Sequence, residues 1–223
     1  MKRVLLSWSS GKDSAWTLHR LLQDPDVEVA GLLTTLNEPA NRVAMHAVRR
    51  ALLEAQAEAV GLPLWVIPLP SPCTNLEYER IMSEVCRRAV AERIQAIAFG
   101  DLYLADVRRY REQQLQGTGL EPVFPLWGIP TAALVNEMIA AGLRAKITCV
   151  DPRALDRAFA GREFDASFLA DLPAHVDPCG ENGEFHSFVY NSPEFRAPLI
   201  VRTGEIVERD GFVFADLVPE KAG

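Results

Sequence analysis

The sequence predicts an α/β protein with a doubly wound parallel sheet, followed by a smaller C-terminal α+β part that ends in a hairpin. Short apolar runs alternate with longer amphipathic stretches as far as Asp151, and beyond that residue the rhythm stops. Strict alternation of strands and helices is typical of a parallel sheet with helices on both faces. The chain has 223 residues, 48% of them hydrophobic, which is enough for a substantial core.

Short apolar runs predict six strands, at residues 3–8, 27–36, 64–70, 96–102, 122–127 and 145–151. Apolar residues at helical spacing predict a helix after each of the first five strands, at residues 13–22, 41–61, 75–94, 105–116 and 131–142. After Asp151 we expect a short helical piece, a loop over 176–188 and two β-rich runs. Asp210 and Gly211 lie between those runs and predict the turn of an antiparallel hairpin.

Turn-forming residues cluster at 116–122 and predict a boundary between a first domain, 1–117, and a smaller second domain, 118–223. The terminal hairpin is a candidate edge for pairing in a homodimer.

The formal net charge is −7, so the surface repels the backbone of a nucleic acid, which argues against a nucleic-acid partner. The four cysteines form no CxxC pair, which argues against a zinc site or a redox dithiol. They are typical of the reduced thiols of a cytosolic protein. No apolar segment is long enough to span a bilayer, so we expect a cytoplasmic protein without a membrane partner.

The hexapeptide SSGKDS, residues 9–14, stands between the first predicted strand and the first helix. It does not fit GxxxxGK[ST], because position 6 is Leu and Asp13 follows the lysine, and GxGxxG fails because only Gly11 is present. The free N–H groups and partial positive charge of a helix N-terminus nevertheless favour a phosphate there. The alternative, that Asp13 or Ser10 only caps the helix, remains open.

The hexapeptide resembles the SGGKDS motif of the pyrophosphate-loop ATPases, the Rossmann-like adenine nucleotide alpha hydrolase-like superfamily, with Ser10 in the place of the first glycine. The resemblance implies an enzyme that uses ATP and Mg²⁺, cleaves ATP between the α and β phosphates and adenylates a substrate. It implies that Lys12 contacts the phosphates and that Asp13 holds magnesium or orients the loop. It also implies that the pyrophosphate portion is cradled by Ser9, Ser10, Gly11 and Ser14. If the glycine position has a positive φ, Ser10 is strained.

The ends of two other strands are expected to complete the nucleotide site. With a strand order of 3-2-1-4-5, the crevice opens where the first and fourth strands end. Gly100 and Asp101 then border the nucleotide, Gly100 by allowing a close approach and Asp101 by reaching magnesium or a ribose hydroxyl. Thr34 and Thr35, at the end of the second strand, are candidates for the adenosine pocket. A glycine at a strand end and a helix-capping aspartate are the alternative explanation.

The segment CGENGEFHSFV, residues 179–189, places Glu181 and Glu184 in a glycine-bearing loop before a β-rich run. Two close carboxylates can bind a cation or accept a proton from an attacking amine. Two exposed glutamates on a turn are the alternative. His186 stands at the start of a strand, which favours a structural role.

Taken together, SSGKDS, AFGDL, EPVFPLW, MIAAGLRAKITCVD and CGENGEFHSFV resemble the diphthine–ammonia ligase family. The resemblance implies an ATP-dependent ligase that activates the carboxylate of protein-borne diphthine on elongation factor 2 and joins it to ammonia. Its ATP-binding domain precedes a smaller domain with the glutamate loop. The implied catalytic residues are Lys12, Asp13, Glu181 and Glu184. Arg108, Arg109 and Arg111 match an arginine-containing family segment, which could receive an anion or form a solvated helix face.

Three alternatives remain. A bacterial relative could amidate a small acid such as a corrinoid. A tRNA thiolase or lysidine-type enzyme has the same loop, but the acidic charge and the lack of paired cysteines count against it. A non-catalytic ATP or AMP sensor would leave the glutamate loop without a purpose.

Overall fold

Ten strands and six α-helices lie along the residues that the computed structural model describes, which are 1–43 and 48–220. The first ten elements are β1 (Lys2–Ser7), α1 (Lys12–Leu22), β2 (Val27–Asn37), β3 (Arg42–Val43), α2 (Arg50–Val60), β4 (Leu64–Leu69), α3 (Asn75–Ala91), β5 (Ala96–Ala98), α4 (Ala105–Leu115) and β6 (Glu121–Val123). They are followed by α5 (Thr131–Ala140), β7 (Arg144–Val150), a 3₁₀ helix (Arg157–Phe159), α6 (Ala166–Asp171), β8 (Phe185–Asn191), β9 (Val201–Arg209) and β10 (Phe212–Pro219).

The first sheet is parallel apart from β3, and its parallel strands lie in the order β4-β2-β1-β5-β6. This is the 3-2-1-4-5 order expected from the sequence, so the predicted α/β fold class is confirmed. Val4, Leu5 and Leu6 in β1 are all buried, as expected for a strand with helices on both faces. The strand order reverses between β1 and β5, so the carboxyl ends of these two strands flank a crevice.

The sixth predicted strand, β7, does not continue the parallel sheet, and that expectation is wrong. It belongs to a second, antiparallel sheet with the order β8-β7-β10-β9. Ala145, Ile147 and Val150 of β7 are fully buried, so the strand has the apolar character of a central strand in either kind of sheet. Local sequence therefore indicates a buried strand without indicating its partners.

The second predicted helix begins later than expected. Of residues 41–61, α2 occupies only Arg50–Val60, and Arg42–Val43 form β3, which pairs with the last two residues of β2. The segment 44–47 of that prediction lies outside the described residues. Gly61 ends the helix at φ 71°, where its N–H donates to the carbonyls of Ala57 and Glu58, as the sequence predicted.

The terminal hairpin is confirmed. Asp210 (φ 53°) and Gly211 (φ 80°) join β9 to β10, and two consecutive positive φ angles are what a type I′ turn requires. β9 is an outer strand of the second sheet, and the homodimer through this edge stays a prediction. The domain division at residues 117 and 118 also stays a prediction; β6, just beyond it, pairs with β5 of the first sheet.

The two sheets meet at the turn between β1 and α1. The N–H of Val189 in β8 donates to the carbonyl of Ser10 at 3.0 Å, and the N–H of Lys12 donates to Ser187 Oγ at 3.2 Å. A hydrophobic cluster that includes Leu6, Trp16 and Phe188 continues across the junction. Among the helices of the described residues, none has both the length and the apolar character needed to cross a membrane.

Candidate active site

A cavity of about 520 Å³ opens where β1, β2 and β5 end, and residues from both sheets line it. Of the residues that the sequence and the resemblance assign to the nucleotide or to catalysis, those that line it are Ser9, Lys12, Asp13, Ser14, Thr34, Thr35, Gly100, Asp101 and Glu181. Three further predicted residues are next to lining residues in the sequence but do not themselves line the cavity: Ser10, Gly11 and Glu184. The fold thus brings the SSGKDS turn, the end of β5 and the glutamate loop to one place.

The SSGKDS turn leaves the N-terminus of α1 without a side-chain cap. Gly11 is the N-cap residue, and neither Ser10 nor Asp13 caps the helix, which removes the simple capping explanation. Ser9 Oγ donates to Ser14 Oγ at 3.2 Å, and Ser14 Oγ donates to the carbonyl of Gly11 at 2.8 Å. The N–H of Lys12 is taken by Ser187 Oγ, so Asp13 and Ser14 are the first-turn residues whose N–H groups have no side-chain cap among the described residues and can meet an anion in the cavity.

Ser10 has a left-handed backbone, with φ 71°, so the strain that the sequence suggested for this position is present. The residue is fully buried, and its Oγ has no hydrogen-bond partner among the described residues. Its carbonyl accepts from Val189 N–H and from Gln56 Nε2, each at 3.0 Å. These two hydrogen bonds hold the strained turn in place.

Lys12 is buried, and its ammonium group is occupied by the protein itself. Nζ donates to Asp13 Oδ2 at 2.8 Å and to the carbonyl of Cys179, and it lies 5.4 Å from the ring centroid of Phe185 and 5.9 Å from that of Phe164. Burial lowers the pKa of Lys12, but the surrounding acidic groups, Asp13 first and then Cys179 and Glu181, together outweigh burial and hold the pKa above its ordinary value. The charged side chain of Lys12 thus connects the SSGKDS turn to the glutamate loop.

Asp13 has one oxygen in the pair with Lys12, whereas its Oδ1 is buried and has no partner among the described residues. Burial raises the pKa of Asp13, and Lys12 opposes that rise. The described residues contain no group of three side chains able to hold a metal alone. Proteins commonly bind Mg²⁺ through one or two carboxylates together with substrate phosphates. The unpaired Oδ1 fits that arrangement, and the metal role of Asp13 stays a prediction.

Glu181 faces the cavity from the loop that precedes β8. Its Oε1 accepts from the backbone N–H of Leu102 at 2.8 Å. Burial raises the pKa of Glu181 to about 7; Asp13 and Asp101 add to the rise, while Lys12 and the Leu102 N–H oppose it. A carboxyl group with this pKa can accept or donate a proton at neutral pH.

Glu184 is buried but directed into its own loop. Its carboxylate accepts from Asp177 N–H at 3.1 Å, from Asn182 N–H at 3.0 Å and from Asn182 Nδ2 at 3.0 Å. Burial raises the pKa of Glu184, but these hydrogen bonds outweigh burial and bring it below its ordinary value. The geometry favours a role in shaping the loop, and the predicted catalytic role stays a prediction.

At Gly100 there is little room for a side chain, because α1 passes close by. A Cβ atom there would lie 3.1 Å from the backbone carbon of Asp13 and 3.1 Å from Thr17 Oγ1. The expected close approach of a nucleotide to Gly100 stays a prediction. Thr34 is also constrained, since its Oγ1 donates to the carbonyl of Trp8 at 2.7 Å.

His186 lines the cavity from β8. Burial, together with Lys12, lowers the pKa of His186 to about 4. The imidazole is therefore neutral at neutral pH, and the structural role expected from the sequence stays a prediction.

Comparison with known proteins identifies the family. Residues 1–122 match the family described as diphthamide synthase N-terminal domain, and residues 130–216 match the diphthamide synthase C-terminal domain. The chain belongs to the diphthamide synthase family. It is 27% identical over 237 residues to the diphthine–ammonia ligases of Bos taurus and Homo sapiens, covering 96% of this chain and 88% of each relative. The Schizosaccharomyces pombe diphthine–ammonia ligase is 24% identical over 226 residues, which are 92% of this chain and 37% of that protein.

Two residues that support the site in this diphthamide synthase family member were missed by sequence reasoning. Asp177 accepts from Cys179 N–H at 2.9 Å, from Glu181 N–H at 3.3 Å and from Thr131 Oγ1 at 2.7 Å. Gln56 is fully buried in α2, beneath the Ser10 turn. The sequence signals that could have pointed to them were an aspartate just before Pro-Cys-Gly, for Asp177, and a glutamine on the apolar face of a helix, for Gln56.

The three arginines of α4 have different surroundings. Arg111 lines the cavity, whereas Arg108 and Arg109 do not. Arg108 Nε donates to Glu112 at 2.8 Å, and its guanidinium carbon lies 4.8 Å from the ring centroid of Trp127. Arg109 is exposed. The solvated-face explanation therefore applies to Arg109 and not to Arg111.

Proposed function

We propose that this diphthamide synthase family member is an AMP-forming ligase, which adenylates a substrate carboxylate with ATP and transfers the acyl group to ammonia. The main support is one cavity lined both by the SSGKDS turn and by Glu181. A phosphate site and a titratable carboxyl group thus border the same space. The names of the curated relatives, diphthine–ammonia ligases, favour protein-borne diphthine as the carboxylate.

In the first step, the substrate carboxylate attacks the α-phosphorus of ATP, the bond to the β-phosphate oxygen breaks, and pyrophosphate leaves. The N-terminal turn of α1, with the hydroxyls of Ser9 and Ser14, would hold the pyrophosphate portion, because helix N–H groups stabilise negative charge. Lys12 would supply positive charge beside it, and Thr34 and Thr35 would border the adenosine. Magnesium held by Asp13 and the phosphates would neutralise charge on the leaving pyrophosphate.

In the second step, ammonia attacks the carbonyl carbon of the mixed anhydride, and AMP leaves with the electrons of the broken bond. Glu181 would accept the proton of the ammonium ion, for which a pKa of about 7 suits it. The Leu102 N–H fixes one oxygen of Glu181. Glu184 and Asp177 hold the loop on which Glu181 stands.

The cytoplasm, where ATP is abundant and thiols stay reduced, is the proposed location. All four cysteines of the chain are free, which is consistent with such a compartment.

The test is a reaction of the purified protein with Mg²⁺, ATP, ammonium and a panel of carboxylates that includes diphthine-bearing elongation factor 2 and corrinoid acids. We expect AMP and pyrophosphate to form only with the true acid, and turnover to fall about 100-fold in Glu181→Gln. Glu58→Gln, at an exposed position of α2, is the matched control and should retain full turnover. ADP as the product would contradict adenylation, and ATP binding without turnover on any acid would favour the sensor.

A further inference from the structure

The cavity has few cationic side chains for a ligand as strongly anionic as ATP. In the described part of the chain, Lys12 and Arg111 are the lysine and arginine side chains that line it. Its carboxylates are more numerous: Asp13, Glu79, Asp101 and Glu181. The ammonium of Lys12 already contacts Asp13, the Cys179 carbonyl and two aromatic rings. Arg111 is thus the cation with capacity left for a ligand.

The guanidinium of Arg111 is held at one side and open at the other. Its Nε donates to Asp101 Oδ2 at 3.5 Å, and its central carbon lies 5.0 Å from the ring centroid of Phe99. Neither Nη group has a hydrogen-bond partner within residues 1–43 and 48–220. The side chain is 31% exposed and lines the cavity. Two N–H donors of a planar fork are therefore presented to whatever occupies the cavity.

The neighbouring arginines show that this arrangement is specific to one position. Arg108 is engaged by Glu112 and Trp127, away from the cavity, and Arg109 is exposed to solvent. The residues of α4 that line the cavity are Tyr110, Arg111, Gln114 and Leu115. Of the three arginines of α4, Arg111 is the one that lines the cavity.

We propose that Arg111 is an anion-binding side chain of this cavity and that its Nη fork binds oxygen atoms of the nucleotide's phosphate chain, while Asp101 holds its Nε. A guanidinium fork matches the oxygens of a phosphate group in a bidentate manner, which a lysine cannot reproduce. Stacking on Phe99 and the contact with Asp101 orient the fork before the ligand arrives. This inference rests on the proposed function, since it takes ATP as the ligand.

Calorimetric binding of three probes, Mg·ATP, AMP and inorganic pyrophosphate, tests the assignment. Arg111→Ala should weaken Mg·ATP binding about 10- to 100-fold, because it removes charge-assisted hydrogen bonds. Arg111→Lys should recover only part of the loss, since the charge returns without the fork. Arg109→Ala removes the same charge two residues away and should change each dissociation constant less than twofold. The thermal midpoints of both Arg111 variants verify that the fold is intact.

The three probes also locate the contact. Weaker AMP binding with unchanged pyrophosphate binding would place the fork at the α-phosphate, and the opposite result would place it at the β and γ phosphates; either result supports the proposal. Unchanged affinity of Arg111→Ala for all three probes would overturn it, even if the KM for the carboxylate substrate rose. A wild-type protein that binds none of the probes would instead refute the proposed function itself.

Discussion

Ser10 combines a left-handed backbone with a buried hydroxyl that has no partner among the described residues. Both features are unfavourable, and both lie in the turn that begins α1. The hydrogen bonds from Val189 and Gln56 to its carbonyl keep the turn in this conformation. The position where the superfamily motif has glycine is thus strained in this chain by the presence of a side chain.

Replacing Ser10 with glycine should therefore stabilise the protein. We expect Ser10→Gly to raise the free energy of unfolding by about 1 kcal/mol, since relief of the left-handed strain exceeds the added entropy of the unfolded chain. Urea denaturation measures the change. Ser9→Gly is the control: Ser9 has no positive φ, so the same substitution should lower stability there. A loss of stability in Ser10→Gly would contradict the strain argument.

Glu181 should set the pH dependence of the reaction. Its pKa of about 7 lies above the ordinary value, and the deprotonated form is the base, so kcat/KM should rise with pH up to about 7 and level off above it. In Glu181→Gln, this rise should be absent and the remaining activity nearly independent of pH between 6 and 8. If the rise persists with an unchanged midpoint in the variant, another group is responsible.

The loop from Asp177 to Glu184 is organised by its own carboxylates. Asp177 and Glu184 accept the backbone N–H groups of the loop, and Glu181 is the carboxylate that remains for the cavity. Lys12 Nζ, which donates to the Cys179 carbonyl, ties this loop to α1. Of these three acidic residues in one short segment, two therefore accept N–H groups within the loop and one faces the cavity.

Measurements of stability and of turnover should distinguish Glu184, which holds the loop, from Glu181, which faces the cavity. Glu184→Ala leaves the N–H groups of Asp177 and Asn182 without their acceptor, so we expect it to lower the free energy of unfolding by about 2 kcal/mol and to slow turnover. Glu181→Gln should slow turnover without that loss of stability. Urea denaturation and AMP release, measured on both variants, provide the comparison. A Glu184→Ala variant that is as stable as the wild type would argue against the loop-shaping role.

Across the whole chain, the two sheets are joined by polar contacts on both sides of the β1–α1 turn. Asp216 of β10 accepts from Arg42 Nη1 at 2.9 Å and from Arg49 Nε at 3.0 Å, and so connects the second sheet to β3 and the start of α2. On the other side, the Ser10 carbonyl and the Lys12 N–H bond to β8. The cavity lies at a junction that is held at several points.

Asp216 should stabilise this junction in a pH-dependent manner. Burial raises the pKa of Asp216, but the hydrogen bonds from Arg49 and Arg42 lower it by more than burial raises it. The pKa in the folded state therefore lies below the pKa in the unfolded state. The contribution is present above the unfolded pKa, roughly 3.9, and is lost as the pH falls through the folded pKa. We expect Asp216→Asn to cost about 1–2 kcal/mol at neutral pH.

Urea unfolding at pH 7 and near pH 3 checks this expectation, because the difference between wild type and variant should shrink at the lower pH. Asp171→Asn, which removes the more exposed partner of Arg162, should cost less than about 0.5 kcal/mol at either pH. An equal cost for Asp216→Asn at both values would exclude ionisation as the cause.

Local pattern was sufficient for much of this protein. The alternation of apolar runs predicted the parallel sheet, Asp210-Gly211 predicted the turn of the antiparallel hairpin, and Gly61 predicted the end of α2, since each depends on backbone preferences of a few adjacent residues. The motifs of the SSGKDS turn and the glutamate loop predicted the family for the same reason, because each is a continuous stretch of chain.

Long-range contacts decided the rest. Three features depend on residues far away in the sequence. They are the sheet that β7 joins, the different orientations of Glu181 and Glu184, and the position of Arg111, alone among the three arginines of α4, in the cavity lining. Glu181 binds the N–H of Leu102, 79 positions earlier, and Gln56 binds the carbonyl of Val189, 133 positions later. Such pairings are stabilised only once both sheets have formed and packed, so no window of local sequence contains them.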